Sequence, residues 1–154
     1  MSRYAAGTEV GVDRSRAEIE RTLERYGASH FAYGWSPDGA VVQFSADGRY
    51  IKFSVTMPSR DEFTLTETGR SRSDARTIDA AWDQAKRQRW RALALVIKAK
   101  LEAVESGIAT FEDEFMAYTV LPSGATVSEW LSPQIVEAYA SAEMPREFRL
   151  ALGP

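Results

Sequence analysis

Apolar residues first recur at helical spacing between residues 14 and 26, where Ala17, Ile19, Leu23 and Tyr26 form one stripe. Asp13 or Ser15 can cap this helix and Gly27 can stop it. The remaining positions, Arg14, Arg16, Glu18, Glu20, Arg21, Glu24 and Arg25, mix both signs, as a solvated helix face does. The period then changes to two. Phe31, Tyr33 and Trp35 alternate with smaller residues, which puts three aromatics on one side of a strand over residues 30–35. Ser36-Pro37-Asp38-Gly39 reads as a turn, residues 40–46 as a second strand, and Asp47-Gly48 as a hairpin. Residues 49–57 complete an antiparallel meander, with Ile51, Phe53, Val55 and Met57 on one face and the polar set Tyr50, Lys52, Ser54 and Thr56 on the other.

Residues 58–72 form a polar loop in which Phe63 and Leu65 predict a short edge strand, and its tip over residues 69–73 is expected to be mobile. Ser73 or Asp74 then caps a long helix that runs to about residue 106, with Gly107 placed for a left-handed cap. At about 100° per residue, Ile78, Trp82, Trp90, Leu93, Val96, Ile97, Leu101 and Val104 share one broad arc. Arg87, Arg91 and Lys98 fall on the opposite side, and Arg89 and Lys100 lie along the margin. Thr110 caps a further helix with Glu112, Asp113 and Glu114 in its first turn and Phe111, Phe115 and Tyr118 on one face. Pro122-Ser123-Gly124 breaks that helix. Thr126 and Glu129 have capping-box spacing ahead of Trp130 and Leu131, and Ser132-Pro133 predicts the start of a last helix ending near residue 142. The tail over residues 143–154 is expected to be loosely held. The fold class that follows is α+β: an N-terminal helix, a three-stranded antiparallel meander, a long central helix and short C-terminal helices. No repeat or linker divides the 154 residues, so one domain is expected.

Composition narrows the chemistry. With 44% hydrophobic and 27% charged residues, the chain is an ordinary globular sequence able to bury a core without staples. It has no cysteine and one histidine, His30, which excludes disulfides, cysteine-ligated metals, thiol catalysis and any site needing two imidazoles. The first twelve residues lack a basic segment followed by an apolar run, and no stretch approaches the roughly 20 apolar residues of a membrane span. A soluble cytosolic protein with no membrane partner is therefore expected. The net charge of −3 conceals segregation: residues 1–69 hold eight Lys/Arg against ten Asp/Glu, residues 70–100 nine against three, and residues 101–154 two against nine. Such asymmetry fits a surface for nucleic acid or another charged partner, or segments that neutralise each other across one fold.

No Gly-x-Ser-x-Gly elbow, Walker loop or Gly-x-Gly-x-x-Gly occurs, and the single His30 beside an aromatic strand reads as structural. Pro37-Asp38 ahead of Tyr50-Ile51-Lys52 echoes a metal-dependent nuclease pattern, but Tyr50 stands where the second carboxylate is required. Helix-dipole matching and a solvated face account for Glu102, Glu105, Glu112, Asp113 and Glu114 without a cation. No catalytic residue, metal or cofactor is expected. The positive signal is Lys86-Arg87-Gln88-Arg89-Trp90-Arg91, four cations and an indole in six residues, extended by Lys98 and Lys100. Regularly spaced exposed cations suit backbone phosphates, and indoles can stack on unpaired bases. Trp82 and Trp90 lie on the apolar arc and are expected in the core, with Arg89 and Lys100 extending past them. Arg87, Arg91 and Lys98 are the first candidates for a DNA or RNA surface, joined by Lys86 and by Arg70, Arg72 and Arg76 from the preceding loop and first turn.

The run from Arg87 to Glu102 (RQRWRALALVIKAKLE), the segment VLPSGATV at 120–127, the opening MSRYAAGT and RSRAEIER at 14–21 together resemble a family of small, uncharacterised proteins encoded by bacteriophages and prophages. The resemblance covers nearly the whole chain. It implies a phage setting in the host bacterial cytosol and assigns no catalytic residue. The order helix, three-stranded meander, helix is also similar to that of double-stranded-RNA-binding domains and of phage single-strand annealing proteins, without a shared sequence motif. The leading expectation is thus a non-enzymatic phage protein that binds nucleic acid through the basic side of the long helix. The alternative is an interaction module, acting on a host or phage protein and capable of forming a homodimer.

Overall fold

The computed structural model describes residues 5–36, 39–72 and 74–144. Helix α1 spans Val12–Tyr26, strands β1, β2 and β3 span His30–Ser36, Gly39–Ala46 and Arg49–Thr56, and a 3₁₀ turn covers Arg60–Phe63. Helix α2, Ala75–Glu105, is followed by α3, Phe111–Phe115, a 3₁₀ turn at Met116–Tyr118, and α4, Val127–Ser141. This is the expected α+β order.

The sheet is an antiparallel meander, β1-β2-β3. Ala40, Val42 and Phe44 lie opposite Val55, Phe53 and Ile51 on one side and Trp35, Tyr33 and Phe31 on the other, so the three strands present one common apolar face. The β2–β3 hairpin turns through Asp47 and Gly48, both at positive φ, as a two-residue turn matched to strand twist demands. Val42, Phe44, Ile51 and Phe53 are buried under α1 and α2, where Ile19 and Leu23 meet Leu93, Ala94, Ile97 and Leu101. Phe111 and Phe115 of α3 close the layer, with Phe115 edge-on to both Phe44 and Phe53 and Phe111 stacked on Tyr26.

Several expectations change. The first helix begins at Gly11 without a side-chain cap; Asp13 lies in the first turn, Ser15 is buried and Ala17 is exposed. The polar loop holds a 3₁₀ turn and an isolated Leu65–Ser71 bridge in place of the expected edge strand at Phe63 and Leu65. Asp74 caps α2 by accepting from the Arg76 amide; Ser73 lies outside the described residues. Val96, expected on the apolar arc, is largely exposed, whereas Ala94 is buried. The Thr126–Glu129 capping box starts α4 itself, which continues through Pro133 to Ser141, so Ser132-Pro133 does not begin a separate helix. Pro133 takes away one amide and crowds the carbonyl four residues back, yet the helix passes through it because the reciprocal cap already fixes the first turn upstream. The expected turn at Pro37-Asp38 and most of the expected loose tail, residues 145–154, lie outside the described residues.

Candidate nucleic-acid interface

A groove of about 660 Å³ opens where the β1–β2 end of the sheet, the start of α1 and the first half of α2 converge. Local sequence builds it. Gly39 opens β2 so close to β3 that a Cβ there would stand 2.7 Å from the Val55 carbonyl oxygen. At the end of the preceding strand Trp35 lines the groove and is 78% exposed. Across from it, Trp82 is half-buried, its Nε1 donating to the Pro58 carbonyl at 2.8 Å, which fixes the indole plane. Trp90 forms the floor, buried about two turns further along α2 and edge-on to Tyr33.

Four cations surround these indoles: Arg16 from α1, Arg60 from the loop, and Lys86 and Arg87 from α2. The Arg16 guanidinium lies 4.3 Å from the centre of the Tyr33 ring and pairs with Asp13. Arg60 donates to Asp79, and that hydrogen bond raises its pKa further above an already high value, so it stays charged. Lys86 lies 3.9 Å from the Trp82 ring centre and 2.7 Å from Asp83. Arg87 differs: its Nε and Nη2 both donate to the neutral Gln84 amide oxygen, which leaves its charge without a carboxylate among the described residues.

No family model, curated protein or solved structure matches this chain. The site is therefore judged on its own chemistry. Lys86 and Arg87 belong to it, but the other sequence candidates are dispersed. Arg87 and Arg91 are half-buried, contrary to the expectation that they are exposed, because α1 packs along that side of α2 and Arg91 pairs there with Glu18. Lys98 is exposed, eleven residues beyond Arg87 and thus about 16 Å along the helix. Arg72 donates to the Phe63 and Leu65 carbonyls and so holds the loop together. Arg70 and Arg76 are exposed away from the groove lining. Trp90 is in the core as expected, and Trp82 is only partly so.

Arg16, Arg60 and Trp35 were not among the sequence candidates. Arg16 is one of seven charges on a mixed helix face, and Arg60 stands ten residues from the next cation of its loop and beside Asp61 and Glu62, so neither carries a local signal. Trp35 could have been singled out as the last aromatic of an alternating strand, and exposure does rise along it from half-buried Phe31 to Tyr33 and Trp35. A larger cavity of about 950 Å³ lies between α2 and the 58–72 loop, but its lining mixes Glu62 and Glu67 with Arg72 and Arg89, and it holds no indole. No group of three or more His, Cys, Asp or Glu side chains that could hold a metal occurs among the described residues. Nor is any described helix long and apolar enough to cross a membrane.

Proposed function

We propose that the protein is a non-enzymatic nucleic-acid-binding protein, and that the groove takes a single strand of DNA or RNA. The observation that carries this is the exposed Trp35 indole in one groove with Trp82, Arg16, Arg60, Lys86 and Arg87. An indole can stack only on a base that is not already stacked in a duplex, while the cations meet the phosphates on either side of it. The groove's volume falls within the roughly 300–1,000 Å³ of small-ligand sites, which suits a short stretch of strand rather than a helix. In the bacteriophage setting implied by the sequence resemblance, unpaired strands in the host cytosol would be the available targets. The basic side of α2 contributes through Lys86 and Arg87, not through its whole length.

Anisotropy titrations with labelled oligo-dT, oligo-U and a duplex of equal length, each at two salt concentrations, test this. Single strands should bind more tightly than duplex, and more weakly as salt rises. Trp35→Ala should cost about tenfold in affinity, within the roughly 1–3 kcal/mol of a base–aromatic stack. The double change of Lys86 and Arg87 to Ala should weaken binding comparably, and Lys98→Ala should leave it nearly unchanged. Absence of binding at low salt, or equal losses from Lys98→Ala and Trp35→Ala, would overturn the assignment.

The alternative of a protein-interaction module draws on α4, where Ile135, Val136 and Tyr139 are exposed and no residue is buried. That surface is apolar, so a partner there would be recognised by shape and burial and not by the opposed charge blocks of the sequence.

A further inference from the structure

The two edges of the sheet are treated differently. Along β3 the edge is closed by the segment after α3: Thr119 bridges Ile51, and the Val120 amide donates to the Tyr50 carbonyl at 2.8 Å. Along β1, no described residue other than those of β2 hydrogen-bonds to the backbone of residues 30–36. Open edges are normally protected by charged side chains, proline or a bulge. β1, His-Phe-Ala-Tyr-Gly-Trp-Ser, has no Lys, Arg, Asp, Glu or Pro, and it pairs with β2 in continuous register.

Its sequence is also chemically symmetric about Tyr33: polar, aromatic, small, aromatic, small, aromatic, polar. Placed antiparallel to itself with Tyr33 opposite Tyr33, it sets Phe31 against Trp35, Ala32 against Gly34, and His30 against Ser36. The two-fold axis of such a pair stands perpendicular to the sheet, so all six aromatics fall on the same face. Aromatic cross-strand pairs are favourable, and the uncharged strand brings no like charges together. On that face Tyr33 is 46% exposed and Trp35 78% exposed, and α1 reaches the strand through Arg16 over the Tyr33 ring.

We infer that β1 is a homodimerisation edge, pairing with β1 of a second copy in the Tyr33-centred register to make a six-stranded sheet. The exposed parts of four large aromatics, from side chains of about 150–250 Å² each, supply roughly 500 Å² of apolar contact besides the backbone edge. That side-chain area is below the roughly 1,200 Å² of standard specific interfaces, so backbone pairing carries much of the contact and the dimer is weak, reversible and dependent on concentration. Trp35 belongs both to this contact and to the groove, so β1 pairing and strand binding draw on one indole, while the register is read without any nucleic acid present.

Because the chain has no cysteine, single thiols report the register directly. Tyr33→Cys would place two thiols across the two-fold axis with Cα atoms about 4.5–5.5 Å apart, within disulfide reach. Trp35→Cys would place its thiols on residues four positions apart along the paired strands, about 14 Å, which is out of reach. The unmodified 154-residue chain should dimerise by light scattering as concentration rises towards about 500 µM. With copper–phenanthroline as the oxidant accepting the two thiols' electrons, Tyr33→Cys should give a covalent dimer and Trp35→Cys should not. A strict monomer over that range, equal crosslinking of both variants, crosslinking of neither, or a dimer abolished by Val136→Glu on α4 would overturn it.

Discussion

Helices α2 and α4 begin alike and are held differently. Both start on a side-chain cap, Asp74 in one case and the Thr126–Glu129 box in the other. In α2 the apolar arc finds partners: Ile78, Trp90, Leu93, Ala94, Ile97 and Leu101 are buried, and Lys100 ties the far end to Glu114 of α3. In α4 apolar residues occur all round the helix, no residue is buried, and Val136 and Tyr139 are 70% and 87% exposed. The polar attachment of α4 lies at its start, where the Lys52 ammonium reaches both Glu129 and the Gly124 carbonyl, and along the helix Val127, Leu131 and Ala138 are only half-buried. A long helix can thus be secured by area removed from water or by a few oriented polar groups, and the two responses to mutation should differ accordingly.

The largest effect should come from Ile97→Ala. Ile97 has no exposed surface and sits between α1 and the sheet, so its truncation should destabilise the whole protein by about 2–5 kcal/mol in urea unfolding. Val136→Ala, by contrast, should stay within about 0.5 kcal/mol. Equal losses at the two positions would show that α4 is covered in solution and would break the comparison. Next comes Thr126→Ala, which removes the oxygen that accepts from the Glu129 amide at 3.1 Å. Loss of an N-cap costs about 1 kcal/mol, and here it should fray α4 while α2 keeps its protection in hydrogen exchange. Simultaneous loss of protection in both helices would mean that α4 folds as part of the core.

Much of this contrast was legible before the fold was known, because it depends on local chemistry. The periods of 3.6 and 2, Asp47-Gly48, the Thr110 cap and the Thr126–Glu129 box all act within a few residues, and each appears where it was expected. The groove was not legible in the same way. Lys86 and Arg87 stood out as a cluster, but their companions come from α1, the end of β1 and the loop, as far as Arg16, 71 positions before Arg87. Arg91 misled for the converse reason: its place on the polar side of α2 was right, and only packing reveals that Glu18 of α1 occupies that side. Periodicity locates a face but does not say what covers it. Pro133 misled because proline after serine marks a helix start equally well whether or not a stronger cap lies six residues upstream.

The smallest expected effect is a pH dependence confined to α4. The Glu129 carboxyl is held below the usual carboxylate range, first by the hydrogen bond from the Thr126 amide and then by the Lys52 ammonium. The unfolded chain therefore takes up that proton at a higher pH than the folded one does. The carboxylate's contribution is complete above the ordinary value of about 4.3 and is lost as pH falls through the lower folded value. Backbone chemical shifts of residues 127–141 should accordingly move towards coil on acidification to about pH 3, whereas burial holds the second half of α2 independently of this proton. Glu129→Gln keeps an oxygen able to accept from the Thr126 amide but cannot titrate. It should flatten the α4 profile, at the cost of the Lys52 ion pair at every pH. If the variant and the parent chain show the same profile, the polar attachment of α4 does not run through this carboxylate, and the difference between the two helices must rest on contacts further along α4.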